Sequence, residues 1–411
     1  MAKEKRDKVV LAYSGGLDTS VAVKWLQVEH GLDVIACCVD VGQNDNLEIA
    51  RKKALQIGAV KAVVVDARER FCRDYLTPAI MANAVYEGRY VHSTSLNRPM
   101  ISEVLVEVAR KEGATFFSHG ATAKGNDQVR FEVSVRALAP EMQVVAVARE
   151  WGIKGITRDM EIDYAKKHGI PVDATKKSPY SVDISFWGKS TECGLLEDPW
   201  NEPPDEAYNW VTRIEKAPDK PEYVVVGFEK GVPVSVDGRK MKLMNLISKL
   251  NDLGAKHGVG YTDMVENRLV GIKSRETYEA PGATVILCAH RELENLVLTR
   301  DAQHFKTGVE QRFSELIYDG LWFSELRRYL QAFIEATQEK VTGKVRLKLY
   351  KGSCVAVGRQ SPFSQYSQKM STYDTGDMFD HTAAEGFIKL WGLPHQVDAQ
   401  VMQNAAKNKK K

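Results

Sequence analysis

The sequence lacks the features that mark a zinc-bound, secreted or membrane-spanning chain. Its six cysteines include no C-x-x-C pair and have no histidine cluster at zinc spacing. No apolar stretch is long enough to cross a bilayer, and the chain opens on charged residues instead of an apolar leader. We therefore expect a cytoplasmic protein with reduced thiols and no membrane partner.

The chain also lacks an excess of either charge. Its 57 Lys and Arg residues and 54 Asp and Glu residues give a formal net charge of +3, and much of the excess lies near the two ends. This balance is not typical of nucleic-acid-binding proteins, so we expect no nucleic-acid partner. The length of 411 residues and the apolar content of 44% predict two or three globular domains.

The first glycine-rich segment, residues 8–26, contains neither the G-x-x-x-x-G-K-[ST] nor the G-x-G-x-x-G phosphate motif. An apolar run at 9–11 is followed by Ser14, Gly15 and Gly16 and then by apolar residues at helical spacing. This order predicts a buried strand, a tight turn and a helix. The free N–H groups at the start of such a helix suit phosphate.

Asp18 is the residue in this turn that a simple anion site does not need. A carboxylate beside phosphates is repulsive unless a cation lies between them, so Asp18 indicates Mg²⁺ bound to a nucleotide. The alternative is a plain strand–helix turn in which Asp18 and Thr19 only cap the helix.

Strands and helices alternate over residues 1–170. The apolar runs predict strands at 34–39, 60–65, 114–118 and 143–147. The helical patterns between them lie at 47–57, at 71–85, and from about Pro99 to Gly113. The alternation predicts an α/β fold with a parallel sheet and a ligand site at the carboxyl ends of its strands.

The pattern changes after Pro171. Residues 171–204 are rich in Pro, Ser, Gly and Trp, which predicts a linker or a functional loop. Beyond it we expect an α+β region with strands at 223–228, 232–236, 269–272, 345–350 and 353–357. Its helices are expected at 243–253, between 283 and 338 with breaks near Asp301 and Gly320, and around 387–391. The domains are therefore predicted as 1–170, 171–375 and 376–411.

A second polar stretch, residues 118–132, follows the fourth of the strands counted from the N-terminus. It combines two glycines, several different hydrogen-bonding side chains and a following helix, as an active-site loop would. A polar connection in which Asn126 or Asp127 caps the helix is the alternative. His119 could act as a general base, although a lone histidine is more often a structural hydrogen-bond partner.

Several segments resemble one family. Ala12-Tyr13-Ser14-Gly15-Gly16-Leu17-Asp18-Thr19-Ser20 resembles the pyrophosphate loop of the N-type ATP pyrophosphatases, in the form that the argininosuccinate synthase family has. Residues 118–132 resemble a second signature, with Ala123 where that family generally has Gly. Residues 88–99 resemble a third, from which His92 and Ser93 depart. Residues 178–199 and 266–279 resemble further signatures in the same order.

The resemblance implies an N-terminal domain of the adenine nucleotide alpha-hydrolase type, a synthetase and multimerisation domain, and a C-terminal oligomerisation helix in a homotetramer. It implies an ATP-dependent ligase of arginine biosynthesis and the urea cycle, with Mg²⁺ as cofactor. Such a ligase condenses citrulline and aspartate through a citrullyl-adenylate, and releases argininosuccinate, AMP and pyrophosphate.

The resemblance also implies roles for individual residues. ATP would contact Ala12, Tyr13, Ser14, Gly15, Gly16, Leu17, Asp18, Thr19, Ser20, Val39 and Gly120. Citrulline would contact Tyr90, Ser95, Asn126, Arg130, Ser181, Ser190, Glu266 and Tyr278. Aspartate would contact Thr122, Asn126 and Asp127. The catalytic residues would be Ser14, Asp18 and Asp127, with Asp18 also holding the metal.

Two other functions fit parts of the sequence. A tRNA-thiolating ATP pyrophosphatase would require a catalytic cysteine pair and a basic RNA-binding face, and the sequence offers neither clearly. A nucleotide-binding regulatory protein would keep the first loop without the amino-acid pockets.

Overall fold

The computed structural model describes residues 6–43, 46–171, 179–374, 376 and 378–409. The chain divides into two compact units, Met1–Phe363 and Ser364–Lys411. Ser178, which belongs to one of the family-like segments, lies outside the described residues.

The N-terminal part of the first unit is built on a parallel sheet. Its strands are β1 (Lys8–Ala12), β2 (Asp33–Asp40), β3 (Lys61–Asp66), β4 (Phe116–His119) and β5 (Gln143–Ala146). Among the described residues their order is β3-β2-β1-β4-β5, with every neighbouring pair parallel. Val10 packs into one apolar cluster while Val9 and Leu11 pack into another. The strand is therefore buried on both faces, as its unbroken apolar run predicts.

Helices alternate with these strands. They are α1 (Leu17–Glu29), α2 (Leu47–Ile57), α3 (Arg68–Arg70), α4 (Thr77–Met81), α5 (Asn97–Glu112), α6 (Asp127–Leu138), α7 (Val147–Ile153) and α8 (Arg158–Lys167). A π-helical turn, Phe71–Leu76, joins α3 to α4. The helix predicted at 47–57 is confirmed. The helix predicted at 71–85 ends early, at Met81, because the chain turns at Asn83, whose φ is +44°.

Two antiparallel sheets follow in the first unit. Their strands are β6 (Ser181–Ser185), β7 (Gly188–Glu192), β8 (Glu222–Glu229), β9 (Val232–Val236), β10 (Arg239–Lys240), β11 (Tyr261–Asn267), β12 (Lys273–Glu279), β13 (Gly343–Tyr350) and β14 (Ser353–Gln360). In the described residues one sheet has the order β11-β12-β7-β6 and the other has the order β10-β9-β8-β13-β14.

One prediction for this region is incomplete and another is wrong. The stretch 171–204 contains β6 and β7, so it is more than a linker; these strands are short and largely polar, and apolar patterning does not reveal them. The strand predicted at 269–272 is instead the turn between β11 and β12. Leu269, Val270 and Ile272 are exposed there, so their apolar character does not reflect burial in a sheet.

The remaining helices of the first unit are α9 (Leu243–Lys256), α10 (Pro281–Val297), α11 (Arg300–Tyr318) and α12 (Glu325–Thr337). The helical breaks predicted near Asp301 and Gly320 are confirmed. Short 3₁₀ turns lie at Gly194–Glu197, Asp205–Ala207, Ile214–Lys216 and Gln338–Lys340.

The second unit contains α13 (Gln368–Ser371) and α14 (His381–Asn408). Asp380 caps α14, accepting the N–H of Thr382 at 2.9 Å. The apolar side chains of this helix are exposed, and Phe387 stacks on Trp391 with ring centroids 5.6 Å apart. Within the described ranges, no helix combines the length and the apolar character needed to cross a membrane.

A buried ionic network holds α10 and α11 together. The Lys306 ammonium is buried, lies 2.9 Å from Glu294 and also contacts Glu310. The Asn83 amide N–H group donates to both carboxylates, at 2.6 and 2.7 Å, and its amide oxygen accepts from the Nδ1–H of buried His290 at 2.7 Å. Burial would raise the pKa of Glu294, but His290 and Lys306 outweigh it and lower this pKa, so the carboxylate stays charged.

Replacing Lys306 with Met should destabilise the fold strongly. The aliphatic volume is nearly kept, but the buried carboxylate of Glu294 and the partly buried carboxylate of Glu310 lose their cation, and an uncompensated buried charge costs about 3 to 5 kcal/mol. The measurement is urea unfolding followed by tryptophan fluorescence. Lys166→Met, which removes an exposed partner of Asp163, is the control and should change stability little. Equal unfolding curves for the two variants would contradict the role of the network.

Candidate active site

The double-glycine turn lies between β1 and α1, as the sequence predicts. Gly15 has a φ of +85°, and a Cβ on it would lie 2.8 Å from the Cβ of Ala50 on α2. Lys53, also on α2, donates to the Gly15 carbonyl at 2.9 Å. The turn therefore requires glycine both for its backbone conformation and for its close contact with a neighbouring helix.

Two kinds of side chain occur in this loop. Ser14 and Asp18 are exposed at its mouth. Tyr13 and Ser20 are buried, and their hydroxyl oxygens are hydrogen-bonded at 3.1 Å, so these side chains support the turn on its buried side. Thr19 is also buried and bonds Ser14 through the hydroxyl oxygens at 3.1 Å. The exposed N-terminus of α1 can accept an anion here.

Gly120 and Val39 lie beside this loop. β4 and β2 flank β1, and both residues lie at or just after the carboxyl ends of those strands. A Cβ on Gly120 would lie 3.1 Å from the Thr19 methyl carbon. The structure therefore brings together the predicted nucleotide-contacting residues from three adjacent strands.

Glu161 on α8 is a neighbour of Asp18 that the sequence did not indicate. Its pKa rises to about 7, through burial and through the charge and hydrogen bond of Asp18. Two carboxyl groups thus lie together at the start of α1. They are oxygen donors of the type that Mg²⁺ prefers.

The register of the β11-β12-β7-β6 sheet gathers four predicted citrulline contacts on one face. Tyr278 lies opposite Ser190, which lies opposite Asp183. Ser181 pairs with Glu192, which is two residues from Ser190 on β7. On β11, Glu266 is four residues from Thr262, and Thr262 pairs with Tyr278. Directly opposed residues, and residues two apart along a strand, share a face. Ser181, Ser190, Glu266 and Tyr278 therefore share one.

Glu266 is the centre of a buried hydrogen-bonded group on this face. Its two oxygens accept from the hydroxyls of Tyr278 and Tyr318, each at 2.8 Å. The Asn126 amide donates to the Tyr318 hydroxyl at 2.8 Å, and Arg130 donates to the Tyr318 carbonyl at 2.9 Å. Residues predicted from the second polar stretch thus meet residues predicted from the second half of the chain.

Asp127 lies between two arginines. Arg98 and Arg130 each donate to one of its oxygens at 2.9 Å. Burial would raise the pKa of Asp127, but the two guanidinium groups outweigh it and lower this pKa to about 2. Asp183 also contacts Arg98, yet burial and the charge of Asp127 raise its pKa. Two cations per carboxylate are thus enough to offset burial here, whereas one is not.

The other predicted residues fall into two groups. Tyr90 and Ser95 are buried, and the Tyr90 hydroxyl accepts the N–H of Ser95 at 3.0 Å. Thr122 and Ser181 are exposed.

His119 is buried, stacks on Phe131 and lies 3.5 Å from Glu132. This packing supports a structural role for His119 and not that of a general base.

Sequence reasoning missed several side chains of this site. They are Arg98, Glu161, Asp183, Arg268, Glu276 and Tyr318. Only the strand register reveals Asp183 and Glu276, because both lie on the same sheet face as the predicted residues. If β6, β11 and β12 had been recognised as strands in the sequence, Asp183 and Glu276 would have been identified.

The fold and the loop define the class of this protein. Residues 8–171 match the family model described as the arginosuccinate synthase N-terminal HUP domain, a nucleotide-binding α/β domain. Residues 180–398 match the model described as the arginosuccinate synthase C-terminal domain.

The chain belongs to the argininosuccinate synthase family of enzymes. It is 55% identical over 407 residues to a protein of Symbiobacterium thermophilum named argininosuccinate synthase, covering 99% of this chain and all of that one. It is 55% identical over 394 residues to the protein of the same name from Bacillus pumilus, covering 96% of this chain and 97% of that one. The Geobacillus kaustophilus protein, with the same name, is 54% identical over 400 residues.

Acidic side chains on the sheet face make stability depend on pH. Glu276, Glu266 and Glu192 lie around one guanidinium, that of Arg268, so burial and repulsion raise the pKa of Glu276 from 4.5 to about 8. The folded chain then holds a proton that the unfolded chain loses. This contribution to stability is complete below pH 4.5 and is lost as the pH rises to about 8.

Replacing Glu276 with Gln should therefore flatten the fall in stability between pH 5 and pH 8. The wild type is expected to lose on the order of 2 kcal/mol more than this variant over that interval. Urea unfolding at several pH values measures the difference. The exposed Glu206→Gln variant should keep the wild-type slope. An unchanged slope in Glu276→Gln would contradict the account.

Proposed function

We propose that this enzyme condenses citrulline and aspartate to argininosuccinate, using ATP, as a cytoplasmic step of arginine biosynthesis. The observation that carries the proposal is the convergence of the 118–132 loop with the Glu266 face of the second sheet. The names of the relatives at about 55% identity support it. The parallel sheet and the Gly15-Gly16 turn support ATP as the nucleotide.

The proposed reaction has two steps. In the first, the ureido oxygen of citrulline attacks the α-phosphorus of ATP, an O–P bond forms, and the bond to pyrophosphate breaks. In the second, the ammonium of aspartate loses a proton to phosphate or to solvent, the resulting amine attacks the ureido carbon of the citrullyl-adenylate, a C–N bond forms, the C–O bond to AMP breaks, and the new N–H group releases its second proton in the same way. The first step supplies a leaving group, because a ureido group is a poor electrophile.

The chain's own groups would act mainly by positioning and by stabilising charge. The N–H groups at the start of α1 and the exposed Ser14 hydroxyl would hold the departing pyrophosphate. Asp127, whose Oδ1 has one arginine donor and so keeps a lone pair, would accept from the ammonium of aspartate beside Thr122 and Asn126. Citrulline would be held by Tyr90, Ser95, Arg130, Ser181, Ser190, Glu266 and Tyr278.

Mg²⁺ would be held at Asp18. The residues fit such an ion, because the Asp18 carboxylate is exposed beside the anion site with Glu161 next to it. The described residues contain no group of three or more acidic, histidine or cysteine side chains placed for a metal, so phosphate oxygens would complete the coordination. When bound, the ion would neutralise charge on the phosphates.

We also propose the domain limits 1–170, 171–375 and 376–411, a homotetramer, and a place in the urea cycle where that cycle operates. The end of the N-terminal family match at residue 171 supports the first limit. The exposed apolar side chains of α14, taken by themselves, support a role of this helix in oligomerisation.

The function is tested by pyrophosphate release with ATP, citrulline, aspartate and magnesium. Release that requires citrulline, with argininosuccinate detected by mass spectrometry, is the expected result. A regulatory protein would bind ATP without release, and a tRNA-thiolating enzyme would respond to RNA instead of citrulline. Absence of release with all substrates present would contradict the proposal.

Asp18→Ala is expected to lower kcat at least about a hundredfold, because the metal ion that balances the phosphate charge would lose its protein ligand. Circular dichroism and the melting temperature should stay close to wild type, since Asp18 is exposed. Glu48→Ala, which removes the corresponding first-turn acid of α2, is the matched control and should keep activity. Wild-type turnover in Asp18→Ala would reject the metal role.

A further inference from the structure

His92 occupies an unusual backbone position for a histidine. Its φ is +60°, in the left-handed region, and its side chain is fully buried. The carbonyls on both sides are held, since the Trp187 ring N–H donates to Val91 at 2.9 Å and the Ser185 hydroxyl donates to Ser93 at 3.0 Å. A strained conformation that neighbouring groups fix in this way is common at functional sites.

The His92 ring joins two buried hydroxyl groups. Its Nδ1 lies 2.9 Å from the Ser95 Oγ, and its Nε2 lies 2.7 Å from the Ser314 Oγ on α11. Burial, together with the positive charge of Arg130, lowers the pKa of His92 to about 3. The ring is therefore neutral, so one nitrogen donates a hydrogen bond while the other accepts one.

We propose that His92, fixed by Ser314, is a positioning residue that leaves the Ser95 hydroxyl proton free for citrulline. The role rests on the proposed function, in which Ser95 contacts this substrate. In this arrangement Ser95 donates to an oxygen of citrulline, since the carboxylate and the ureido oxygen only accept hydrogen bonds. The Ser95 oxygen must then accept from Nδ1–H of His92, and Nε2 accepts from the Ser314 hydroxyl.

The same residues distinguish this role from simple core packing. The backbone N–H of Ser95 is already bound by the Tyr90 hydroxyl at 3.0 Å, so the loop does not need the His92 ring to hold its main chain. The ring bonds instead to the Ser95 hydroxyl. We call the series of hydrogen bonds from Ser314 through His92 to Ser95 the relay.

The test is a double-mutant cycle on citrulline binding, measured by isothermal titration calorimetry on the full chain. Ser314→Ala leaves the backbone of the loop untouched and should raise the Kd for citrulline about three- to tenfold, the loss that one hydrogen bond produces. In a Ser95→Ala background the same change should have no further effect on the Kd, because the hydroxyl that His92 positions is then absent. The KM for ATP should stay within about twofold.

Thr307→Ala is the matched control, because Thr307 is on the same helix and its hydroxyl bonds a backbone carbonyl of that helix. It should leave citrulline binding unchanged. His92→Asn keeps an N–H near the position of Nδ1 and tolerates a positive φ, so it should retain more affinity than His92→Leu.

Two results would overturn the proposal. One is an equal loss from Ser314→Ala in the wild-type and Ser95→Ala backgrounds, with pyrophosphate release intact in the wild type; the relay would then be wrong and the function right. The other is a wild-type protein that neither binds citrulline nor releases pyrophosphate with it, which would remove the proposed function and this role together.

Discussion

The site depends on the balance of buried charge around Asp127. This carboxylate and Arg130 come from α6, Arg98 comes from α5, and Asp183 comes from β6 of the antiparallel sheet. Transfer of isolated charges to such a place is costly, and each ion is tolerated because at least one ion of opposite charge lies within hydrogen-bonding distance. The two halves of the site are therefore held in register by the same groups that give it its polarity.

The second constraint is the two-residue period of the β-strand. It places Ser190, Glu266 and Tyr278 on one face of a sheet, although they are far apart in the sequence. The hydroxyls of Tyr278 and Tyr318 then both bind one carboxylate, which fixes the direction of each ring. The result is a rigid polar wall facing the loop that follows β4, and such preorganisation reduces the reorganisation that binding would otherwise require.

Much of the N-terminal half could be predicted from the sequence, because buried parallel strands give continuous apolar runs and glycines end the helices between them. The turn between β1 and α1 could be predicted too, because an apolar run leads through two glycines into a helical pattern. The polar strands β6 and β7 were not, since their side chains contact charges instead of an apolar core. The apolar residues of the turn at Leu269 caused the opposite error, because they predicted a strand where the chain forms a turn. Asp183, Glu276 and Tyr318 became visible only through tertiary pairing, which one-dimensional patterns do not encode.

The most direct test of the account is a crystal structure of the protein with ATP and citrulline bound. The account predicts that the β- and γ-phosphates lie at residues 14–20 and that citrulline lies against the sheet face of Ser190, Glu266 and Tyr278, with its ureido oxygen toward the α-phosphate. Phosphates bound elsewhere, or citrulline away from that face, would contradict it.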